Sequence, residues 1–231
     1  MSFWESICDQ CYKTFVESDR YQYIVRGLGN TLLIALFAVM IGIVLGVLVA
    51  LVKVFAVENR KMRPLEILAN IYLTVIRGTP MLVQLFIMYY IILNIPNKIL
   101  VSILAFGINS GAYVAEIVRS GIQSIDRGQM EAGRSLGLNQ RQTMVKIIFP
   151  QALKNILPAL GNEFIVLLKE TSVAGFIGVE ELTKAGDILR SQTWQPYVPL
   201  LSVAAVYLLL VMGMTVLLSK LERRLRKSDY R

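Results

Sequence analysis

Long apolar runs separated by short polar stretches organise this chain of 231 residues. A helix needs roughly 20 predominantly apolar residues to cross a bilayer. Five segments meet that need: about Leu28 to Val52, Leu65 to Leu93, Ile99 to Val118, Ile156 to Ile177 and Val198 to Leu218. The second is interrupted by Arg77-Gly78-Thr79-Pro80, and the fourth has polar residues inside it. The pattern predicts an all-α polytopic membrane protein with five transmembrane helices. Its expected parts are an external segment 1–26, a membrane domain 27–220 and a basic cytoplasmic tail 221–231.

Between the third and fourth runs lies a polar insert, residues 126–150. Glycine just past a helix end is the usual helix stop, so Gly137 closes a short helix. Asn139, with Gln142 three residues on, resembles a capping box and starts the next. The insert therefore reads as helix, sharp turn, helix. Ala132, Leu136, Met144, Ile147 and Ile148 give it apolar surface, and Pro150 is expected to bend the chain back towards the fourth span.

Composition supports the bilayer as solvent. The chain is 55% hydrophobic and 17% charged, against about 25% charge in soluble domains. It has no histidine, which removes the commonest metal ligand and general base. No GxxxxGK[ST] loop offers an ATP site. No catalytic residue, metal site or cofactor is therefore expected in this chain. Cys8 and Cys11 form a CxxC, which suits a redox pair or a disulfide, but one pair without histidine cannot complete a zinc site; a structural role in an amphipathic N-terminal helix is expected over either. The first apolar run starts only after Gly27, behind acidic and aromatic residues, which is unlike a signal peptide.

The net charge of +8 is unevenly placed. Segments 53–63, 119–154 and 219–231 hold 16 of the Lys and Arg residues, whereas 1–26, 94–98 and 169–197 hold 7. Positive residues concentrate on the cytoplasmic side. The N-terminus is thus expected outside and the tail LERRLRKSDYR inside, anchored on anionic lipid rather than bound to nucleic acid.

Ionisable residues within spans mark function by default. Arg77 lies 14 residues beyond Arg63, about 21 Å along a helix. Thr79 can cap, and Pro80 suits a first helical position. A helix restarting there would offer free N–H groups beside a guanidinium, a seat for a carboxylate; alternatively Gly-Thr-Pro only kinks the helix and Arg77 snorkels or pairs structurally. Glu163, about 14 Å past Lys154, suits an ammonium or cationic group, with Asn162 beside it; alternatively it pairs with Arg77 to close a gate. Asn109, Tyr113 and Glu116 share one face of the third span and read mostly as helix packing. Gly42 and Gly46 form a GxxxG packing signal. The outer segment GVEELTKAGDILRSQTWQPY reads either as a receiving surface or as an interfacial helix anchored by Trp194 and Tyr197.

Residues Glu131, Ala132, Gly137, Ile147 and Pro150 fit the pattern E-A-A-x3-G-x9-I-x-L-P, with Gly133 and Phe149 as mild departures. This resembles the signature of the membrane subunits of ABC importers. GLGNT, IRGTPMLVQLF, NSGAYVAEIVRSGIQSI and PQALKNILPALGNEFIVLLKETS, in that order, look like its polar amino-acid permease branch (the histidine, glutamine and arginine type). The resemblance covers residues 24–220. It implies that the insert is a coupling helix that docks on a cytoplasmic ATPase, with Gly137 allowing the turn and Glu131 and Arg134 making polar contacts. It also implies two ATPase subunits carrying the ATP, a second permease (identical or homologous), an external solute-binding protein and a cell-membrane location. The transported solute would be a polar amino acid, with glutamine or a basic one favoured by Glu163. An ion-coupled secondary transporter is the alternative; it would favour inverted repeats over five unequal spans.

Overall fold

The computed structural model describes residues 9–56 and 60–227. Cys8 and residues 228–231 of the tail lie outside them. Every regular element among the described residues is helical. In chain order, α1 is Tyr21–Ala56, α2 Arg63–Gly78, α3 Met81–Phe86 (running on as a π-helix, Ile87–Leu93) and α4 Lys98–Gln123. The insert holds α5, Arg127–Ser135, and α6, Gln140–Thr143. Then come α7, Phe149–Glu170, α8, Leu182–Thr193, and α9, Tyr197–Lys227.

α1, α4 and α9 are each long and apolar enough to cross a membrane. The α2–α3 pair, bent by 109° at its break, is a fourth span if counted as one. α7 falls on the expected fourth run, but Lys154, Asn155, Asn162 and Glu163 dilute its apolar character. Its α-helix also stops at Glu170 rather than reaching residue 177; Thr171–Ile177 tighten into a 3-10 helix that ends at Gly178, φ 79°. Leu201, Leu208, Leu209 and Leu217 of α9 and Leu36, Met40 and Leu48 of α1 stand exposed. Lipid tails are as apolar as leucine, so nothing drives such side chains inward.

Pro150 departs from its expected role. A π-turn, Met144–Ile148, leads directly into α7, and Pro150 is the second residue of that helix. A proline removes one N–H and is tolerated in a first turn, so it continues the helical run rather than breaking it.

The chain divides into two units. One holds residues 1–38, 80–106 and 166–214; the other holds 39–79, 107–165 and 215–231. In the second unit, α1 and α4 approach through Gly42 and Gly46: a Cβ at either glycine would overlap Ser110 or Val114. The GxxxG reading holds. Ala50, Val114, Val118, Ala152 and Ile156 form a buried core cluster there. In the first unit, Ala185 and Gly186 of α8 pack closely against Gly27 and Val203. Leu182 and Leu189 are buried. α8 is thus an integral part of its unit, not a helix floating on lipid.

Candidate functional site

The insert is built from local bonds. Asp126 caps α5 by accepting from the Gly128 N–H at 2.7 Å. At the other end the Leu138 N–H donates to the Gly133 carbonyl and the Gly137 N–H to the Arg134 carbonyl. These are the two bonds of a Schellman stop, which needs a left-handed residue next; Gly137 supplies it at φ 88°. Asn139 then accepts from the Gln142 N–H at 2.8 Å, and Gln142 accepts in turn from the Asn139 N–H at 3.0 Å. Gly133 is buried under Thr143, so closely that a Cβ there would collide with it. Glu131, Ala132, Arg134 and Gly137 all lie exposed, as does Leu136, at 80%. The arrangement is a braced helix–turn–helix that presents polar side chains and one bare leucine.

The second cluster lies along α4. The Tyr72 hydroxyl of α2 donates to the Ile108 carbonyl at 2.6 Å, tying α2 to α4. Arg77, in the last turn of α2, lies 3.7 Å from a Glu116 oxygen and 5.8 Å over the Tyr113 ring. Helical side chains lean towards their helix N-terminus, so Arg77 reaches back from the break. Arg119 grips the same carboxylate: its Nε donates to Glu116 Oε2 at 3.0 Å, its Nη2 to Oε1, and its Nη1 to Gln123 at 2.6 Å. Glu163 of α7 accepts from the buried Ser110 hydroxyl at 2.9 Å. Asn162, next to it, is exposed.

Several expectations change here. Thr79 does not cap α3. It terminates α2 in extended backbone, and its hydroxyl donates back to the Val75 carbonyl at 2.8 Å. Pro80 is the residue before α3, not its first. The ion partner of Arg77 is Glu116. The face Asn109–Tyr113–Glu116 splits: Asn109 is buried, whereas Tyr113 and Glu116 address Arg77. Glu116 and Arg119 were legible only as an i,i+3 pair; nothing in the spacing assigned them to Arg77. Ser110, Tyr113 and Glu116 span six residues, about 9 Å along α4, so the anchor points of Glu163 and Arg77 lie within about two turns of one helix.

In the first unit a third cluster surrounds Glu181, which is fully buried. Its carboxylate caps α8, accepting from the Thr183 and Lys184 N–H groups at 2.7 Å each, and from the Tyr207 hydroxyl at 3.3 Å. Burial pushes its carboxyl above the usual range, against the pull of these hydrogen bonds. The Thr31 hydroxyl accepts from the Leu182 N–H, and the Asn30 amide donates to the Glu180 carbonyl. Further along α8, Arg190 and Lys184 hold the Asp187 carboxyl below its usual range. Trp194, left-handed at φ 56°, and Tyr197 stand exposed, at 90% and 73%. A polar cavity of about 310 Å³ is lined by Asp9, Lys13, Glu17, Arg20 and nearby glutamines, but its charges already pair, Lys13 with Asp9 and Arg20 with Glu17.

Residues 23–227 match the family described as the binding-protein-dependent transport system inner membrane component. A Rickettsia bellii protein named for a glutamine transport system permease, GlnP, is 37% identical over 90% of this chain and 95% of its own length. The arginine transport system permease protein ArtQ of Bacillus subtilis is 34% identical, covering 90% of this chain and 94% of its own. The crystal structure of an amino acid ABC transporter with histidines aligns at a TM-score of 0.84 and 43% identity, over 91% of this chain and 98% of that one. The MetNI methionine ABC transporter, at 20% identity and a TM-score of 0.72, shares the fold. The chain belongs to the binding-protein-dependent inner membrane component family: it is a multi-pass transport subunit and not an enzyme.

Proposed function

We propose that this inner-membrane subunit moves a polar amino acid, glutamine or a basic one, through alternating access driven by ATP on a separate ATPase. The observation that carries the reading is the insert. A rigid, capped, exposed helix–turn–helix inside an otherwise apolar chain is what a soluble motor needs to push on. Glu131, Ala132, Arg134 and Leu136 form its contact face, Gly137 permits the turn, and Pro150 lies where the insert enters α7. The names of the relatives, glutamine and arginine permeases, support the substrate class. Family membership favours this reading over an ion-coupled transporter.

The assembly that follows has two permease subunits, two ATPase subunits and an external binding protein. The chain itself needs no cofactor. The lysine and arginine distribution supports an external N-terminus and a cytoplasmic C-terminus. Within the membrane, Arg77 would take the α-carboxylate near the α2–α3 break, close to Thr79. Glu163, with Asn162 beside it, would take the ammonium or a cationic side chain; the separation of about 9 Å along α4 suits a long basic amino acid.

The test is ATP hydrolysis by the complex in lipid with its binding protein and a panel of amino acids. Stimulation by glutamine or basic amino acids is expected, and Gly137→Asp should abolish both stimulation and co-purification of the ATPase. A Gly137→Asp complex that still assembles and transports would refute the docking role.

A further inference from the structure

Two guanidiniums share one carboxylate in the α2–α4 cluster. Arg119 engages Glu116 side-on with two hydrogen bonds. Arg77 approaches the same carboxylate only to 3.7 Å, beyond hydrogen-bond range. Among the described residues the Arg77 guanidinium donates no hydrogen bond; its other neighbour is the Tyr113 ring. Lys53 adds a further positive charge close enough to act on Glu116. Cations therefore outnumber the anion, and the guanidinium left with unused donors is that of Arg77, which sits over Tyr113.

We propose that Arg119 is a positioning residue: by holding Glu116, it keeps the Arg77 guanidinium open to an incoming carboxylate. Glu116 stays near Arg77 as a counter-ion that offsets its charge without taking up its donors. The proposal rests on the reading of Arg77 as a carboxylate seat. The physical need is plain. An arginine within a membrane span is costly without a nearby counter-charge. A carboxylate held on Arg119 but 3.7 Å from Arg77 lowers the cost of the Arg77 charge and leaves the guanidinium donors for a solute carboxylate. That holds while Arg119 outcompetes Arg77 for the carboxylate, as it does here through two hydrogen bonds to Glu116.

The consequence is a reversal of sign that a packing role does not give. Equilibrium binding of radiolabelled glutamine and arginine to the purified permease–ATPase complex, without binding protein, reads it. In Arg119→Gln, Glu116 is released onto Arg77, and the Kd of the bound probe should rise about two- to fivefold, the range of a partly exposed ion pair. Adding Glu116→Gln should bring Kd back to wild type or below, and Arg119→Lys should fall between. A double variant weaker than either single one overturns the proposal, as does an Arg119→Gln variant with unchanged Kd. Arg77→Gln separates the two layers. If it leaves Kd unchanged, the carboxylate seat itself is wrong. If it raises Kd while Arg119→Gln does not, only the positioning role falls. A second readout needs no solute: phenylglyoxal labelling of Arg77, followed by peptide mass spectrometry. Labelling should slow several-fold in Arg119→Gln and recover in the double variant; an unchanged rate overturns the proposal.

Discussion

Glu181 and Glu116 are both acids held by hydrogen bonds, yet they are held in opposite ways. Glu181 is fully buried and takes its partners from two backbone amides and a tyrosine hydroxyl. None of these can leave without unwinding the start of α8 or moving α9. Glu116 is partly exposed and takes its partners from two arginine side chains. Either can swing away by rotating its own dihedrals. A carboxylate fixed by backbone donors is a keystone; one fixed by flexible cations is an exchangeable charge. The difference predicts where substitution costs stability and where it costs function.

Glu181→Ala should have the largest effect. It leaves two α8 amides without acceptors and opens a cavity beside Gly175 and Tyr207. Lost caps, unsatisfied buried groups and cavities each cost about 1–3 kcal/mol, and about 3 kcal/mol in all is expected at this site. In detergent this appears as a fall in the melting temperature of the solubilised complex. Glu116→Gln should leave that temperature nearly unchanged. Equal losses in the two variants would erase the distinction between keystone and exchangeable acid.

Glu163 stands between the two and sharpens the comparison. Like Glu181 it accepts from a buried hydroxyl, that of Ser110; like Glu116 it is only partly buried. If it serves the solute, Glu163→Gln should reduce transport of arginine about tenfold, the size of one lost charge-assisted hydrogen bond, and transport of glutamine far less. The two uptake rates, measured in the same proteoliposomes, decide. Equal loss for both solutes would return Glu163 to the structural side.

The same division explains what could be read from the chain alone. The caps at Asn139 and the stop at Gly137 close within a few residues, so residue type and spacing identify them. The break at Gly78–Pro80 was legible for the same reason, although the hydroxyl of Thr79 turned out to bond backwards along α2. The bond from Ser110 to Glu163 spans 53 residues, and that from Leu182 to Thr31 spans 151. No periodicity encodes such meetings; they depend on which helix faces adjoin. Glu116 was visible as one stripe of α4, but its partnership with Arg77 depends on α2 being tied to α4 through Tyr72. The end of α7 was misplaced because hydropathy reports residence in lipid, whereas Gly178 and the 3-10 turn set the helix end.

The smallest expected effect lies in the insert, whose caps and turn are closed by local bonds. Asn139→Ala removes one half of a reciprocal cap and should cost about 1 kcal/mol of local helix stability, with little change in the melting of the membrane helices. Because the insert's contact face lies on α5, across the Gly137 turn from this cap, loosening the second helix leaves the exposed residues in place but lets their carrier flex. ATP hydrolysis should then persist while fewer solutes move per ATP. The ratio of uptake to hydrolysis in proteoliposomes measures this. A variant with both rates intact would mean that the cap serves folding only, and that the rigidity of the insert is not what transmits the push.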